Sequence, residues 1–376
     1  MRLLCIADIH IGSIKDTEYV YHTLKDIFDR ELLQHKTDAV ILLGDYFDRS
    51  LRVNEEFTTL SIQIMLHLIS LCKRRKCKLR IVYGTESHDA NQYVLFHHFL
   101  KDPDLDFKIM YHVEEEELFK GIHVLYLPEE YIEDESYYKE YFNKKYTYIF
   151  GHGIIVEGMP MIQFDNKPKS NEKRVARFRS KQLSKICDIC LFGHYHVNCL
   201  PEKNVGYVGS LFRTCFGEEK DKGYYIIQDK ELQFVKNENA YTFKTYEFDD
   251  TSSIYQNKED LIQTIQKIKE ENKKLFEGIE FGKIRLKFHI PKDIDEEFKI
   301  SLRDALSLDK NISLLFIDKK DELEEDVKES IDVEYNFILD TSLNIYDKLY
   351  QYMDKKYDLD ISLDELKKYI EEDFTL

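Results

Sequence analysis

The sequence predicts an α/β protein, in which a sandwich of two sheets is followed by a smaller α/β domain and a C-terminal helical tail. Three observations support this fold class. In residues 1–236, short aliphatic runs alternate with segments of helical periodicity. The composition shifts near Asn237, where a second strand–helix pattern begins. From residue 319 on, an acidic stretch precedes two short amphipathic segments.

The first domain, residues 1–236, opens with continuous aliphatic strands separated by amphipathic helices. This arrangement is typical of a buried sheet covered by helices. Later strands are shorter and richer in aromatic residues, which predicts a second sheet packed on the first. The chain order is strand RLLCIAD, helix YVYHTLKDIFDREL, strand AVILLGD, helix FTTLSIQIMLHLISLCK and strand KLRIVYG, followed by strands IHVLYLP, TYIFGHG, ICLFGHY, VGYVGS and GYYIIQD.

The second domain, residues 237–318, has the order strand, helix, strand, helix, strand, which predicts a compact α/β unit. Residues 319–332 are acidic and poor in apolar side chains, as in an exposed linker. Residues 333–376 carry apolar side chains at helical spacing in two short stretches. We expect them to form a docking element for a partner, or to fold back on the second domain.

Charge is unevenly distributed along the chain. The net charge of −17, from 71 acidic and 54 basic residues, argues at first against a nucleic-acid partner. Basic residues cluster, however, in residues 73–78 and 167–181, which indicates separate faces for separate partners. The second run supplies the candidate DNA-binding residues Lys173, Arg174, Arg177 and Arg179.

The sequence predicts a cytoplasmic protein without a membrane segment. No apolar run approaches the roughly 20 residues that cross a bilayer. The apolar N-terminus is interrupted by Asp8 and His10, so it is interpreted as a strand rather than a signal peptide. The seven cysteines are odd in number and several lie in apolar runs, which favours reduced core thiols.

Five short motifs that carry Asp or His follow predicted strands, and most begin with a glycine-assisted turn. Strand ends of one sheet edge bring such side chains together. The motifs are Asp8-Ile9-His10, Gly44-Asp45-Tyr46-Phe47-Asp48-Arg49, Gly84-Thr85-Glu86-Ser87-His88-Asp89, Gly151-His152-Gly153 and Gly193-His194-Tyr195-His196.

These residue types match the chemistry of phosphoester hydrolysis. Two divalent ions about 3.5–4 Å apart can activate a water molecule and neutralise the phosphate. A carboxylate suits a position shared by both ions, because each of its oxygens can bind one of them. Imidazoles mixed with oxygen ligands favour Mn, Fe or Zn over Ca or Mg.

Over about the first 225 residues, the motifs resemble those of calcineurin-like metallophosphoesterases. The resemblance implies that Asp45 bridges two ions. It implies that His88 contacts the phosphate and protonates the leaving oxygen, and that Asp48 and Arg49 support the orientation of the ligands. The ligands implied for the first ion are Asp8, His10, Asp45 and His196, and those for the second are Asp45, His152 and His194.

The third motif departs from the family pattern, Gly-Asn-His followed by Asp or Glu, in which the Asn binds the second ion. Alignment to His88 assigns Ser87 to the Asn position. A hydroxyl is a poorer neutral ligand than an amide oxygen, so Glu86 is the alternative ligand if the longer turn brings it inward.

The segment YVGSLFRTCFGEEKDKGYYII resembles the SbcD-type DNA-repair nucleases, including their bacteriophage members. It carries Gly209-Ser210, Phe212-Arg213 and Lys222-Gly223-Tyr224, which match that group. The resemblance implies a DNA exonuclease/endonuclease subunit of recombination and repair, using Mn. It also implies that residues 237–318 cap the DNA site, and that the tail docks an SbcC-like ABC-type ATPase.

The same resemblance implies a homodimer. FTTLSIQIMLHLISL is apolar on more than one face, and YVLFHHFL adds a second apolar helix. Two such helices from each subunit would form a four-helix bundle.

Two other functions fit part of the sequence. A stand-alone phosphomonoesterase or cyclic nucleotide phosphodiesterase would explain the motifs and the acidic charge, but it leaves the residues after Asn237 without a role. A DNA-binding subunit with weakened catalysis would explain the altered third motif.

Overall fold

The computed structural model describes residues 1–132, 135–158, 174–218, 220–249, 251–255, 258–277, 281–290 and 311–318. Four regions of the sequence predictions therefore lie outside the described residues: Lys173, the predicted helix at 293–306, the acidic linker at 319–332 and the helical tail at 333–376.

The strands occur where the sequence predicts them, with several additional ones. In chain order they are β1 (Arg2–Ile6), β2 (Ala39–Leu43), β3 (Lys78–Val82), β4 (Phe107–Met110), β5 (Glu114–Phe119), β6 (Ile122–Leu127), β7 (Tyr131–Ile132), β8 (Tyr146–His152), β9 (Ile154–Ile155), β10 (Arg174–Val175), β11 (Arg177–Phe178), β12 (Cys187–Gly193), β13 (Cys199–Glu202), β14 (Val205–Tyr207), β15 (Gly223–Gln228), β16 (Glu231–Lys236), β17 (Thr242–Phe248), β18 (Gly282–Ile290) and β19 (Ile312–Asp318).

The α-helices are α1 (Thr17–Asp29), α2 (Glu56–Arg75), α3 (Glu86–Asp89), α4 (Ser180–Ile186), α5 (Lys258–Glu271) and α6 (Lys273–Phe276). A π-helical turn at Arg30–Gln34 extends α1, and 3₁₀ helices lie at Gln92–Lys101, Glu135–Tyr138, Val156–Gly158 and Ser253–Tyr255. None of the described helices is both long enough and apolar enough to cross a membrane.

Two six-stranded sheets form the sandwich. The first has the order β16-β15-β1-β2-β3-β4, and the second has the order β13-β14-β12-β8-β6-β5. In the first sheet, β1 to β4 are parallel and β15 runs antiparallel to β1. In the second, β14, β12, β8 and β6 are parallel. The α/β sandwich predicted from the sequence is confirmed.

Alternation along the strands distributes the apolar residues over three layers. On β1, Leu3 and Cys5 belong to the core between the sheets, together with Tyr148 of β8. Leu4 and Ile6 point to the other side and pack with the residues of α1 and α2. A third layer, which includes Leu183 of α4, covers the outer face of the second sheet.

The helices begin and end where local chemistry favours it. The Asp16 side chain accepts a hydrogen bond from Tyr19 N at 3.0 Å and caps α1. Helix α2 ends at Lys76, which adopts a left-handed conformation with φ 53°. The basic run at 73–78 therefore lies at a helix C-terminus, where positive charge complements the helix dipole.

The described chain divides into two compact units. The described residues within 1–246, 263–285 and 311–313 form the first, and those within 247–262, 286–290 and 314–318 form the second. Strands β17, β18 and β19 form a three-stranded sheet in that order. In the second unit, Phe248 stacks on Phe288 with ring centroids 4.8 Å apart. The predicted domain boundaries at 237 and 319 stay predictions.

All seven cysteines lie in the described residues, and none of them forms a disulfide there. Cys5, Cys72, Cys77, Cys187 and Cys190 are buried, whereas Cys215 is exposed.

Candidate metal centre

Asp and His side chains gather at the carboxyl ends of parallel strands. Asp8 and His10 follow β1, and Asp45 follows β2. In the second sheet, His152 ends β8 and pairs in register with Gly193 at the end of β12. The turn after β12 carries His194 and His196, which therefore lie beside the turn of His152. Both sheets thus contribute to one cluster, as the strand-end pattern predicts.

The backbone of this cluster is strained. Asp8, His10 and Asp45 have φ angles of 48°, 50° and 49°, and His194 has a φ of 94°. Residues other than glycine seldom adopt positive φ, and such strain concentrates at functional sites.

Two glycines allow the strand ends to approach each other. Gly44 has a φ of 77°, and a Cβ there would lie 2.2 Å from His152 Nδ1. A Cβ at Gly193 would lie 2.2 Å from the main-chain oxygen of Leu43. Side chains at either position would force the two sheets apart at the site.

The first group of ligand atoms comes from Asp8, His10 and His196. The Nε2 atoms of the two histidines are 2.9 Å apart. Asp8 Oδ1 accepts a hydrogen bond from His194 N at 2.8 Å. Among the described residues, Asp8 Oδ2 and His10 Nδ1 are buried and have no hydrogen-bond partner. Burial lowers the pKa of His10 to about 3, so its ring is neutral at physiological pH.

The second group comes from Glu129, His152 and His194. His152 Nδ1 lies 2.7 Å from the main-chain oxygen of Leu43. Because a carbonyl only accepts, Nδ1 carries the proton and Nε2 faces the cluster. Burial would lower the pKa of His152, but Asp45, Asp8 and Glu129 outweigh burial and raise it. This balance favours a cation at Nε2, whether a proton or a metal ion.

Asp45 lies between the two groups. Its Oδ2 is 3.2 Å from His152 Nε2 and 3.8 Å from His10 Nε2, and Thr85 N donates to its Oδ1 at 2.7 Å. Burial would raise the pKa of Asp45, but His152 and His10 outweigh burial and lower it, so the carboxylate is ionised. The position fits the shared role implied by the resemblance.

His88 lies beside the first group, with its ring centroid 4.8 Å from that of His10. Its Nδ1 contacts the main-chain oxygen of Asp48, so Nδ1 donates and Nε2 is available. Asp48 Oδ1 is 3.6 Å from His10 Nδ1, within range of a supporting role. Arg49 is half exposed and pairs instead with Glu55 at 2.8 Å.

The structure does not bring Ser87 or Glu86 into the cluster. Both are exposed, and Glu86 Oε2 accepts a hydrogen bond from Tyr83 OH at 2.7 Å. The one-turn helix α3 begins at Glu86 and directs these side chains outward, while it returns His88 to the site. The residue after Gly84, Thr85, points inward instead, with its hydroxyl 3.3 Å from Asp45 Oδ2.

Sequence reasoning missed several residues around the site. Glu129 follows strand β6, so the strand-end pattern that identified the other motifs also applied to it. Asp89 is buried and accepts from Gly84 N at 2.8 Å and Tyr46 N at 3.1 Å, which joins the second and third motifs. Burial, followed by the charge of Asp45, raises the pKa of Asp89 to about 7.

The segment after the last histidine motif supports that motif. Lys222 is buried, and its Nζ donates to His196 O at 2.9 Å, Ser210 Oγ at 2.8 Å and Glu218 Oε1 at 2.8 Å. Glu218 Oε1 is 3.5 Å from His196 Nδ1. Two positions that carry the resemblance to the SbcD-type group, Ser210 and Lys222, therefore hold the His196 turn in place.

Of the four candidate DNA-binding residues, Arg177 and Arg179 lie on or directly after a strand that pairs with the one following His152. Arg177 belongs to β11, which pairs with β9 directly after Gly153. Arg179 is 74% exposed, with Nη1 3.9 Å from Glu157 Oε1. Arg174 lies on β10, which pairs with β7. Lys173 lies outside the described residues.

Residues 1–198 match the family model for calcineurin-like phosphoesterases. The match covers more than half of the 376 residues, and the chain belongs to this family. It is a metal-dependent phosphoesterase. No curated protein sequence matches it significantly. One solved crystal structure covers 62% of this chain and 98% of its own, at 13% identity and a TM-score of 0.37. A similarity this low bears on neither substrate nor partner.

The residues present fit the divalent ions that this family uses. Asp8 Oδ2 and His10 Nδ1 lack partners of their own, and the neutral His10 ring has a lone pair to offer. Asp8, His10 and His196 would hold one ion, His152 and His194 another, and Asp45 either or both. Bound divalent ions supply an activated water and neutralise charge on the phosphoryl oxygens.

Proposed function

We propose that this chain is a Mn-dependent DNA exonuclease/endonuclease subunit that hydrolyses phosphodiester bonds with two ions. The observation that carries the proposal is the set of overlapping groups of potential ligand atoms around Asp45, one of which contains His88 together with His10 and Asp45. A phosphodiester needs both a metal clamp and a proton for its leaving oxygen, and the cluster offers both.

His88 fits the proton donor for structural reasons. Its Nδ1 is fixed by the main-chain oxygen of Asp48, which leaves Nε2 as the exchangeable position. The ring is partly exposed, unlike the fully buried ring of His152. A substrate oxygen can therefore reach it.

Two features support DNA as the substrate. Ser210 and Lys222, which the SbcD-type nucleases share, hold the His196 turn through Lys222 Nζ. Arg177 and Arg179 lie on and directly after β11, next to the strand that follows His152. Cationic side chains beside a phosphoesterase site suit a polyanionic strand, and binding should weaken as salt rises.

The substrate is tested by comparing linear duplex DNA with small phosphoesters in the presence of Mn. We expect nucleotides to be released from the duplex, and Asp45→Asn to abolish the release. Turnover of p-nitrophenyl phosphate or cyclic nucleotides without cleavage of DNA would instead favour the stand-alone phosphoesterase. Binding of duplex DNA without hydrolysis of any substrate would indicate the weakened DNA-binding subunit.

We further propose that the chain acts in DNA recombination and repair with an SbcC-like ABC-type ATPase that binds residues 333–376. The support is the sequence pattern, in which Ile345, Leu349 and Met353 recur at intervals of four residues, as on one face of a helix. Truncation after Asp332 should abolish co-purification with the ATPase and preserve Mn-dependent nuclease activity. A truncated protein that is insoluble, or that melts markedly lower, would show that the tail belongs to the core.

A further inference from the structure

Glu129 is a buried carboxylate at the candidate metal centre. It follows β6, and its main-chain N–H donates to Tyr83 O at 3.2 Å, which ties it to the first sheet. Only 1% of its side chain is exposed. A buried carboxylate is costly unless a cation or several donors compensate its charge.

The contacts of Glu129 converge on one oxygen, Oε2. This atom lies 3.0 Å from His194 Nδ1, 3.2 Å from Thr85 Oγ and 3.7 Å from His152 Nε2. Ligand atoms about 2.0–2.2 Å from one ion lie roughly 2.8–3.6 Å from each other in tetrahedral or octahedral geometry. The 3.0 Å separation of Glu129 Oε2 from His194 Nδ1 lies in this range, the 3.7 Å separation from His152 Nε2 lies just above it, and the three ligand atoms all lie within 4.8 Å of one another.

Several hydrogen-bond acceptors, and few donors, surround Glu129 Oε2. His152 Nδ1 already donates to Leu43 O at 2.7 Å, so a neutral ring presents only a lone pair at Nε2. That lone pair faces Asp45 Oδ2 at 3.2 Å as well as Glu129 Oε2. Thr85 can donate only one proton to the two carboxylates. A cation at Nε2 resolves this arrangement: a proton there would serve Asp45 Oδ2 at 3.2 Å, whereas a divalent ion would also serve Glu129 Oε2 and His194 Nδ1.

We propose that Glu129 is a metal ligand in this chain, with Oε2 binding the same divalent cation as His152 and His194. It supplies an anionic donor where the third motif offers only the Thr85 hydroxyl. In this arrangement Thr85 is a positioning residue that orients Glu129 and Asp45. The inference rests on the metal dependence of the family, and it does not depend on DNA as the substrate.

An added carboxylate has a defined consequence. Affinity for hard divalent cations rises with the number of charged ligands, so loss of the Glu129 charge should weaken one ion and spare the other. Glu129→Gln keeps the shape and an acceptor oxygen for His194. It therefore separates metal binding from simple orientation of that ring.

The test is a calorimetric Mn titration of the full chain, supported by metal content after gel filtration in limiting Mn. Glu129→Gln should lower the Mn affinity of one of the two sites by at least about 10-fold. A loss of this size is already expected when a metal site loses a supporting group. The matched control is Glu130→Gln, since Glu130 pairs with His112 at 2.8 Å and Val113 N at 3.1 Å. It should bind Mn like the wild type.

Co²⁺ in place of Mn gives an independent readout, because its visible absorption depends on its donor atoms. Glu129→Gln should change that spectrum and Glu130→Gln should not. An unchanged Mn affinity and an unchanged Co²⁺ spectrum in Glu129→Gln would overturn the proposal and leave Glu129 as an orienting acceptor for His194. Depletion of an ion by Glu86→Gln or Ser87→Ala, with Glu129→Gln intact, would also overturn it.

Folding is monitored by melting in chelator. Metal-free Glu129→Gln should still melt in one cooperative transition, although it loses the charge that His194 and His152 compensate in the absence of metal, and Mn should raise its melting temperature less than that of the wild type. If Glu129→Gln does not fold, Glu129→Asp decides, since it keeps the charge but withdraws the oxygen by one methylene. Wild-type Mn affinity in Glu129→Asp would count against the proposal. None of these readouts involves nucleic acid, so they stand even if DNA is not the substrate.

Discussion

Among the histidines of the cluster, His88 combines an Nδ1 held by a main-chain oxygen, as in His152, with a partly exposed ring, as in His194 and His196. We expect His88→Ala to lower turnover by about 10²–10⁴-fold, the usual range for loss of a general acid, while the metal content stays unchanged. Phosphoester turnover and metal analysis on the same sample provide the measurement. Loss of metal together with activity would reassign His88 as a ligand.

A second residue-scale prediction concerns Glu31. It is a buried residue of the π-helical turn, and its carboxylate contacts Arg2 of β1 and Tyr224 of β15. Burial would raise its pKa, but hydrogen bonds from Tyr224, Arg2 and Arg30 outweigh burial and lower the pKa below 4.5. A carboxyl with a lowered folded pKa stabilises the fold fully above its unfolded pKa. That contribution is lost as the pH falls through the folded value.

Glu31→Gln should therefore reduce the free energy of unfolding at pH 7 by about 1–3 kcal/mol. The difference from the wild type should shrink as the pH falls below about 4.5. Melting temperatures across this pH range, in chelator, provide the measurement. Glu238→Gln at the exposed surface is the control, and a Glu31→Gln deficit that stays constant with pH would contradict the interpretation.

At the residue scale, the sequence located the Asp and His side chains because each follows an aliphatic strand. Asp8, Asp45 and His152 could be placed in this way. The sequence could not show whether Thr85 or Glu86 points into the site. The alignment was anchored on His88, and the single turn of α3 between these residues and His88 changes the direction in which each side chain points. Glu129 has no histidine partner in sequence, and its relation to His194 is created only by the pairing of β6 with β8 and of β8 with β12.

At the scale of elements, one buried ion pair joins the two sheets. Arg80 of β3 is 1% exposed, and it binds Glu116 of β5 through Nε at 2.8 Å and Nη2 at 2.7 Å. Tyr126 OH donates to the same carboxylate at 3.0 Å. Asp106 also pairs with Arg80 Nη2 at 2.7 Å. Removing Arg80 leaves the largely buried Glu116 with only Tyr126 OH and the partly exposed Lys108, whose Nζ lies 3.1 Å from Glu116 Oε1, so most of its charge compensation is lost.

We expect Arg80→Met to destabilise the protein by about 3–5 kcal/mol. Chemical denaturation in chelator, followed by near-ultraviolet circular dichroism, measures the loss. Lys25→Met provides the comparison, because its pair with Asp29 on α1 is only partly buried and should contribute less than about 1 kcal/mol. Equal effects of the two substitutions would argue against a structural role for the Arg80 pair.

The sequence predicted some strands of the two sheets and not others. AVILLGD and KLRIVYG predicted buried strands because their aliphatic character is continuous. Strand β5 was not predicted, because its sequence EEEELF lacks the apolar alternation of a strand. Its glutamates are compensated by Arg80, Lys108 and Lys144, and these pairings arise only in the folded sheet.

At the scale of the whole molecule, apolar side chains remain exposed on α2 and on the 3₁₀ helix Gln92–Lys101. Leu66 is 42% exposed, Val94 53% and Leu95 42%. We propose that this surface forms the homodimer. Leu66→Glu should shift the protein to a monomeric mass in sedimentation at micromolar concentration. Leu33→Glu, on the π-helical turn and similarly exposed at 39%, should leave the mass unchanged. A wild-type protein that is already monomeric would contradict the proposal.

The position of β1 in the first sheet sets an order of events during synthesis. Its neighbour β2 leaves the ribosome soon after it, whereas its other neighbour, β15, begins only at Gly223. Until then the nascent chain has an open sheet edge, which is prone to mispairing with other chains. Lys222, which secures the His196 turn, arrives at the same moment. A chain arrested after residue 198 therefore contains all five motifs. Its first sheet, however, still has an open edge at β1, and its His196 turn lacks the contact with Lys222.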